Sequence, residues 1–268
     1  MIKSPLRYPG GKSKAIASIA KHLPDTFSEY REPCVGGGSV FIYLKQVYPD
    51  LKIWINDLNP EVYYFWKYAQ SNLDELIREV TWMRKSNVQG QDLHRELVQA
   101  NLENLSGLER ATRFFVLNRI TFSGTTESGG FSPAAFESRF TMSSIERLSK
   151  MSQVLDGVKI TNLDYGELLG ASKESVFLYI DPPYFLTTKK ANLYGKRGNL
   201  HSSFEHERLA ESLGDCPHKW LVSYDNCPTI RDYFSSAHIH AWELQYAMSN
   251  SREVGSTKGK EIFITNYE

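Results

Sequence analysis

"VFLYIDPPYF" (176–185) runs five apolar residues together and ends them on an aspartate, two prolines and an aromatic pair. The apolar run reads as a buried strand. Asp181 then stands at the strand's C-terminal end, where open α/β sheets bind their ligands, and the prolines keep the chain from relaxing into a helix. Outward from this stretch, strand-like runs recur at 30–35, 51–57, 157–164, 219–225, 238–244 and 261–267, with helical segments between them. Such alternation predicts an α/β fold with a mainly parallel sheet and helices on its faces.

Residues 71–118 break that rhythm. Leu73, Leu76, Ile77, Val80 and Met83 follow helical spacing, and helical periodicity continues through 92–105 and 109–120. The next stretch, 121–140, is rich in Gly, Ser and Thr with interleaved Phe, and is expected to be an exposed hairpin or loop. The division expected is a core of 1–70 plus 156–268 and a helical insertion of 71–155, with the hairpin near 121–140.

The chain has 268 residues, 41% hydrophobic and 23% charged, which predicts a packed globule rather than a disordered chain. Lysine plus arginine equals aspartate plus glutamate at 31 each, so only a local asymmetry could attract a polyanion. No long apolar run or signal-like start is found, and the expectation is a cytoplasmic protein with no membrane partner. Cys34, Cys216 and Cys227 are an odd number without CxxC spacing, which predicts reduced packing thiols and neither a disulfide framework nor a metal site.

"EPCVGGGSVFIYLKQ" (32–46) passes from a strand through three glycines into a helix, a form suited to close backbone approach by a ligand. Gly36 and Gly38 fit the dinucleotide fingerprint, but Phe41 occupies its third glycine position, which counts against NAD. Asp57, at the end of a second strand about 20 residues on, is placed to accept from a ribose diol; capping the next helix is the structural alternative. "PLRYPGGKSK" (5–14) is not a P-loop, because Leu6 stands where the Walker glycine belongs. Its Arg7, Tyr8, Lys12 and Lys14 could instead close over a small ligand or touch phosphate.

The Asp181 carboxylate and the Pro182 carbonyl give two acceptors for one exocyclic amine, Pro183 stiffens the corner, and Tyr184 offers a face for a planar base. An aromatic amine is a poor nucleophile because its lone pair is delocalised. Acceptors that take its hydrogens favour a tetrahedral nitrogen able to attack a sulfonium methyl in line, with no metal or covalent intermediate.

"RYPGGK", "EPCVGGGSVF", "NDLNPE", "FFVLNR" and "DPPYF", in this order, resemble the Dam-type (D12 class) DNA adenine-N6 methyltransferases over essentially the whole chain. The resemblance implies a Rossmann-like methyltransferase sheet, S-adenosyl-L-methionine, and an adenine flipped out of duplex DNA. By match to the family motifs, Tyr8, Lys12 and Pro33 line the cofactor pocket and Gly36 and Gly38 pass its methionine part. Asp57 binds its ribose, Asp164 contacts its adenine, and Asp181 faces both ligands.

For DNA the resemblance implies contacts by Arg7, Arg119, Phe122 and Ser123. Glu127 stands where GATC-specific relatives carry a guanine-reading arginine; a carboxylate cannot make that contact, so a different target is expected. Phe122 could wedge into the duplex or pack under the hairpin. The basic run 189–197, with Lys189 and Lys190, could hold phosphates or be a solvated loop. A cognate restriction endonuclease is a further candidate partner, and a bacterium or a phage the expected source. Rival readings are an RNA or protein-amide N-methyltransferase and a catalytically silent DNA-binding relative.

Overall fold

The structure is a computed structural model that describes residues 1–185, 195, 199–245 and 258–268. Its seven strands are β1 (Glu29–Glu32), β2 (Lys52–Asn56), β3 (Lys159–Thr161), β4 (Val176–Ile180), β5 (Lys219–Asp225), β6 (His238–Gln245) and β7 (Lys258–Thr265). They form one sheet in the order β3-β2-β1-β4-β5-β7-β6. The first five run parallel and β7 is antiparallel to both of its neighbours. This is the mostly parallel, Rossmann-like sheet expected from the alternation of strands and helices. The order reverses between β1 and β4, and the crevice beyond their C-terminal ends is where such sheets take ligands.

The apolar run of β4 has a physical reason. Phe177 and Tyr179 point into one core cluster and Val176, Leu178 and Ile180 into another, so both faces of the strand are covered and all five residues are buried. On one face the cluster is continued by α1 (Ser39–Val47) and α2 (Pro60–Ser71), which start at the glycine turn and just past Asp57.

Four further helices, α3 (Leu73–Ser86), α4 (Gly90–Gln99), α5 (Gly107–Ile120) and α6 (Pro133–Arg139), supply the helical region expected from 71 onward. α5 is buried continuously from Ala111 to Ile120, and a reciprocal Ser106/Glu109 capping box closes its N-terminus. It packs on α2, with Phe65 and Phe115 stacked at 5.9 Å, so these helices share the sheet's hydrophobic cluster.

Residues 121–140 depart from the expected hairpin. A single antiparallel bridge joins Thr121 to Phe131 around 3-10 turns, and α6 follows. Ser132 caps that helix by accepting from Ala135 N–H and Pro133 supplies its first turn, a start signal that outweighs the polar composition. The interleaved Phe136 and Phe140 are buried. Among the described residues no helix is long and apolar enough to cross a membrane.

Candidate active site

One cavity opens at the C-terminal ends of β1, β2 and β4, lined by the N-terminal loop, the glycine turn, Asp57, Asp164 and the Asp181 corner. It brings together every residue expected to bind the cofactor, including Tyr8, Lys12, Pro33, Gly36 and Gly38. Strand register explains most of this: Pro33, Gly36, Gly38, Asp57, Asp164 and Asp181 each follow a parallel strand on the same edge of the sheet, while Tyr8 and Lys12 reach it from the N-terminal loop.

The glycine turn needs its glycines. Gly36 has φ +43, and a Cβ there would lie 2.6 Å from the Tyr8 ring. The turn is pinned from behind: Asp57 Oδ2 accepts the Gly36 N–H at 2.9 Å, and Trp66 Nε1 donates to the Gly36 carbonyl at 3.0 Å. Asp57 Oδ1 also accepts the Asn59 N–H at 2.9 Å. Burial lifts the Asp57 carboxyl to about 6, against the pull of these two bonds. Pro33 is held by Asn56 Nδ2, which donates to its carbonyl at 3.0 Å.

Asp181 is held at both oxygens. Lys12 Nζ lies 2.7 Å from Oδ1 and 2.8 Å from Oδ2, and Ser223 Oγ donates to Oδ1 at 2.8 Å. The Lys12 ammonium also sits 4.9 Å from the centre of the Tyr184 ring. Pro182 is buried, while Pro183 and Tyr184 are half-buried, and the ring of Tyr184 leans on Tyr224 at 6.2 Å. The corner past β4 is therefore braced from the N-terminal loop, from β5 and from beneath.

Asp164 is more constrained than the sequence suggests. Its Oδ1 accepts the Gly166 N–H at 2.9 Å, capping the helix Tyr165–Gly170, and Arg208 grips both oxygens at 2.8 and 3.1 Å. Although burial works the other way, the bonds from Arg208 and Gly166 hold the Asp164 carboxyl below its usual range. Glu32 lies beneath the glycine turn, its Oε2 accepting from the Tyr30 hydroxyl at 2.8 Å and Phe41 N–H at 3.0 Å. Burial, with Asp181 and Asp57 nearby, raises it to about 8 against those bonds. Glu32, Ser223 and Arg208 were not expected. A serine inside the apolar run "KWLVSYD" is a visible signal for Ser223, whereas Arg208 carries none, because its pairing depends on a helix docking 44 residues from Asp164.

Four of the residues expected to meet DNA fall into three groups. Phe122 is 64% exposed, and Ser123 beside it has φ +55, a left-handed backbone that presents the turn outward. Arg7 is half-buried, its backbone N–H bonded to Asn118 Oδ1 at 2.9 Å and its guanidinium to the Thr121 carbonyl at 3.4 Å. Arg119 is buried against the Phe115 ring at 5.2 Å, and its Nε has no hydrogen-bond partner among the described residues. Burial, then Arg147, Arg7 and Arg139, lowers it to about 9.

Glu127 corrects the expectation of a base reader. Its carboxylate faces inward and pairs with Arg113 at 3.2 Å, in a network that joins Arg113 and Arg110 to the buried Glu61 of α2. Two arginines there need counter-charge, and one buried glutamate is shared between them. Lys189 and Lys190 lie outside the described residues.

Chemically, the cavity offers a carboxylate-rich wall, a glycine-backed turn and a rigid acceptor corner, on the sheet of a Rossmann-like methyltransferase. Comparison with known proteins is specific: the family model of D12 class N6 adenine-specific DNA methyltransferase matches residues 8–248. The chain belongs to that family, and is an adenine-N6 DNA methyltransferase acting on DNA with a methyl donor. It is 24% identical to a type II methyltransferase, M1.LlaDCHI, of Lactococcus lactis subsp. cremoris, over 97% of this chain and 94% of that protein. It is 27% identical to type II methyltransferase M.MjaIII of Methanocaldococcus jannaschii, over 68% and 69% of the two chains. It is 24% identical to a DNA adenine methylase of Vibrio cholerae, over 77% and 74%.

Proposed function

We propose that the methyl donor is S-adenosyl-L-methionine, bound in the cavity beside Asp181, and that the acceptor is an adenine flipped out of duplex DNA onto the Asp181–Tyr184 corner. The donor would supply a methyl on a positively charged sulfur; as the N–C bond formed, the S–C bond would break with its electron pair leaving on a neutral thioether, and N6 would lose one proton to solvent. The carboxylate-rich wall suits a cationic donor. A Cβ at Gly36 would collide with Tyr8, so the glycine lets the Tyr8 ring pack onto the turn that lines the cavity.

In this reading Asp57 binds the ribose hydroxyls, Tyr8, Lys12, Pro33, Gly36 and Gly38 shape the pocket, and Asp164 contacts the donor's adenine. Asp181 and the Pro182 carbonyl accept the two N6 hydrogens, Pro183 fixes their spacing and the base stacks on Tyr184. The observation that carries the proposal is the doubly braced Asp181 carboxylate opening into the same cavity as the glycine turn and Asp57. Holding the amine in line is the main source of rate.

Residues 71–155 serve as the target-recognition part, with Phe122 as wedge and Arg7 and Ser123 on the DNA side, while Arg119, buried against Phe115, supports that surface from beneath. Glu127 supports that loop from behind. A cognate restriction endonuclease is the further partner, supported by the type II names of the relatives, and the cytoplasm is the site of action. The test is transfer of labelled methyl from S-adenosyl-L-methionine to duplex DNA, RNA and protein. Label in adenine of DNA, abolished by Asp181→Ala, supports the reading; label confined to RNA or protein, or full activity of Asp181→Ala, overturns it.

A further inference from the structure

We infer that Ser223, oriented by Tyr179, is a positioning residue that fixes the rotation of the Asp181 carboxylate for methyl transfer. The inference rests on the reading of Asp181 as the acceptor of the target amine.

Sheet register brings the three groups together. β4 and β5 are parallel, with Tyr179 opposite Leu221 and Ile180 opposite Val222, so the next step along places Asp181 beside Ser223. Side chains alternate along a strand, which puts Tyr179 and Asp181 on one face, together with Ser223 on β5. Tyr179 and Ser223 are both fully buried. Their oxygens are 2.9 Å apart, and Ser223 Oγ is 2.8 Å from Asp181 Oδ1.

Hydrogen counting gives the pair a direction. The Asp181 carboxylate, ion-paired with Lys12, only accepts. Ser223 has one hydroxyl hydrogen and must donate it there. The Tyr179 hydroxyl must then donate to Ser223, and burial, with Asp181 nearby, raises its pKa well above the usual tyrosine range, so it keeps that hydrogen. The result is a one-way chain, Tyr179 to Ser223 to Asp181, which has no rotational freedom left once the two buried hydroxyls are satisfied.

The consequence concerns Oδ2. Lys12 and Ser223 both engage Oδ1, whereas Oδ2 carries only the Lys12 contact among the described residues. Oδ2 is therefore the oxygen left to accept an incoming N–H, provided the carboxylate does not rotate. Lys12 touches both oxygens and cannot distinguish them; Ser223 touches one and can.

Ser223→Ala should lower kcat on the order of tenfold to hundredfold, the scale of a small misplacement at a reacting centre, while the Kd for S-adenosyl-L-methionine changes less than about twofold. Ser223→Thr, which keeps the hydroxyl, should recover the rate to within about threefold. Tyr179→Phe should lose less than Ser223→Ala, and the double variant should be no slower than Ser223→Ala alone, because Tyr179 acts only through Ser223. Thermal unfolding of each variant separates misfolding from misplacement, and if Ser223→Ala does not fold, Tyr179→Phe carries the test. A folded Ser223→Ala with unchanged kcat, additive losses in the double variant, or Tyr179→Phe without a kcat effect would overturn the inference. Asp181→Ala measured in parallel keeps the two claims apart: if it is inactive while Ser223→Ala is fully active, only the positioning role falls.

Discussion

Lys12 Nζ and the Asp181 carboxylate form an ion pair at 2.7 Å across 169 residues of sequence, with the lysine side chain only 3% exposed. The pair locks the N-terminal loop onto the corner past β4, so the loop, which has no strand of its own, becomes one wall of the cavity. Removing one partner of a buried pair leaves the other uncompensated. Lys12→Met is expected to lower the unfolding free energy by about 3 kcal/mol and to cut methyl transfer at least tenfold. Denaturant unfolding and initial rates measure both, and a variant with unchanged rate would detach Lys12 from the corner's function.

Asp57 gives a prediction in pH. Its carboxyl titrates near 6 in the folded chain, against an ordinary value of 3.8. Only the ionised form is a strong acceptor for ribose hydroxyls, so affinity for S-adenosyl-L-methionine should fall as pH drops through 6 and level off above 7. Asp57→Asn should bind weakly at every pH and abolish the dependence. Calorimetric titrations between pH 5 and 8 give the answer, and a parallel pH curve in the variant would remove Asp57 from cofactor binding.

Glu32 bears on stability instead. Its folded pKa is raised to about 8 from 4.5, so between these values the folded chain keeps a proton that the unfolded chain has lost. Stability contributed by this group is fully present below pH 4.5, and declines as pH rises towards 8, with a slope of about 1.4 kcal/mol per unit at most. Glu32→Gln copies the neutral acid and can still accept from Tyr30 and Phe41. The difference in unfolding free energy between variant and wild type should therefore grow in the variant's favour from pH 5 to 8. A flat difference would mean that Glu32 is ionised in the folded chain.

How far the sequence alone reaches is clear from contrasting pairs of residues. Asp181 and Asp57 are legible because each closes a buried strand, and a parallel sheet brings strand ends to one edge whatever the loops do. The helix 133–139 was hidden by the polar stretch around it, although Ser132 and Pro133 together are a start signal. Glu127 is hard to read for a different reason. Its position in the chain is that of a DNA-reading residue, but which way a loop carboxylate turns is decided by charges from other elements, here Arg113 of α5. Such long-range pairings, like Arg208 with Asp164, leave no local pattern.

Gly124 tests the recognition loop's attachment. Its φ is +76, and a Cβ would lie 1.9 Å from the Arg7 carbonyl oxygen, so the loop touches the N-terminal segment backbone to backbone. Gly124→Ala must push the two apart, at a cost of at least about 1–2 kcal/mol. DNA affinity should drop while S-adenosyl-L-methionine affinity holds within about threefold, since neither Gly124 nor Arg7 lines the cavity. Equal losses of both would show that loop and cavity move as one body.

Glu127 supplies the sharpest separation of two roles. If the carboxylate read a base, Glu127→Gln would change which sequence is methylated, because an amide presents a donor as well as an acceptor. In the structure it neutralises Arg113, whose other carboxylate partner, Glu61, also serves Arg110. Taking that charge away leaves two buried or half-buried guanidiniums on one carboxylate, and the loop that carries Ser123 and Phe122 keeps its bond from Asn118 Nδ2 to the Gly124 carbonyl but loses its ionic anchor to α5. The expected result is a stability loss of about 1–3 kcal/mol and a several-fold weaker Kd for duplex DNA, with the methylated sequence unchanged. Arg113→Met should weaken DNA binding to a similar degree, and the double variant should cost less than the sum, since each single change strands the same partner. Sequencing modified adenines in DNA from cells expressing each variant decides the matter: a shifted target in Glu127→Gln would return this residue to the DNA face.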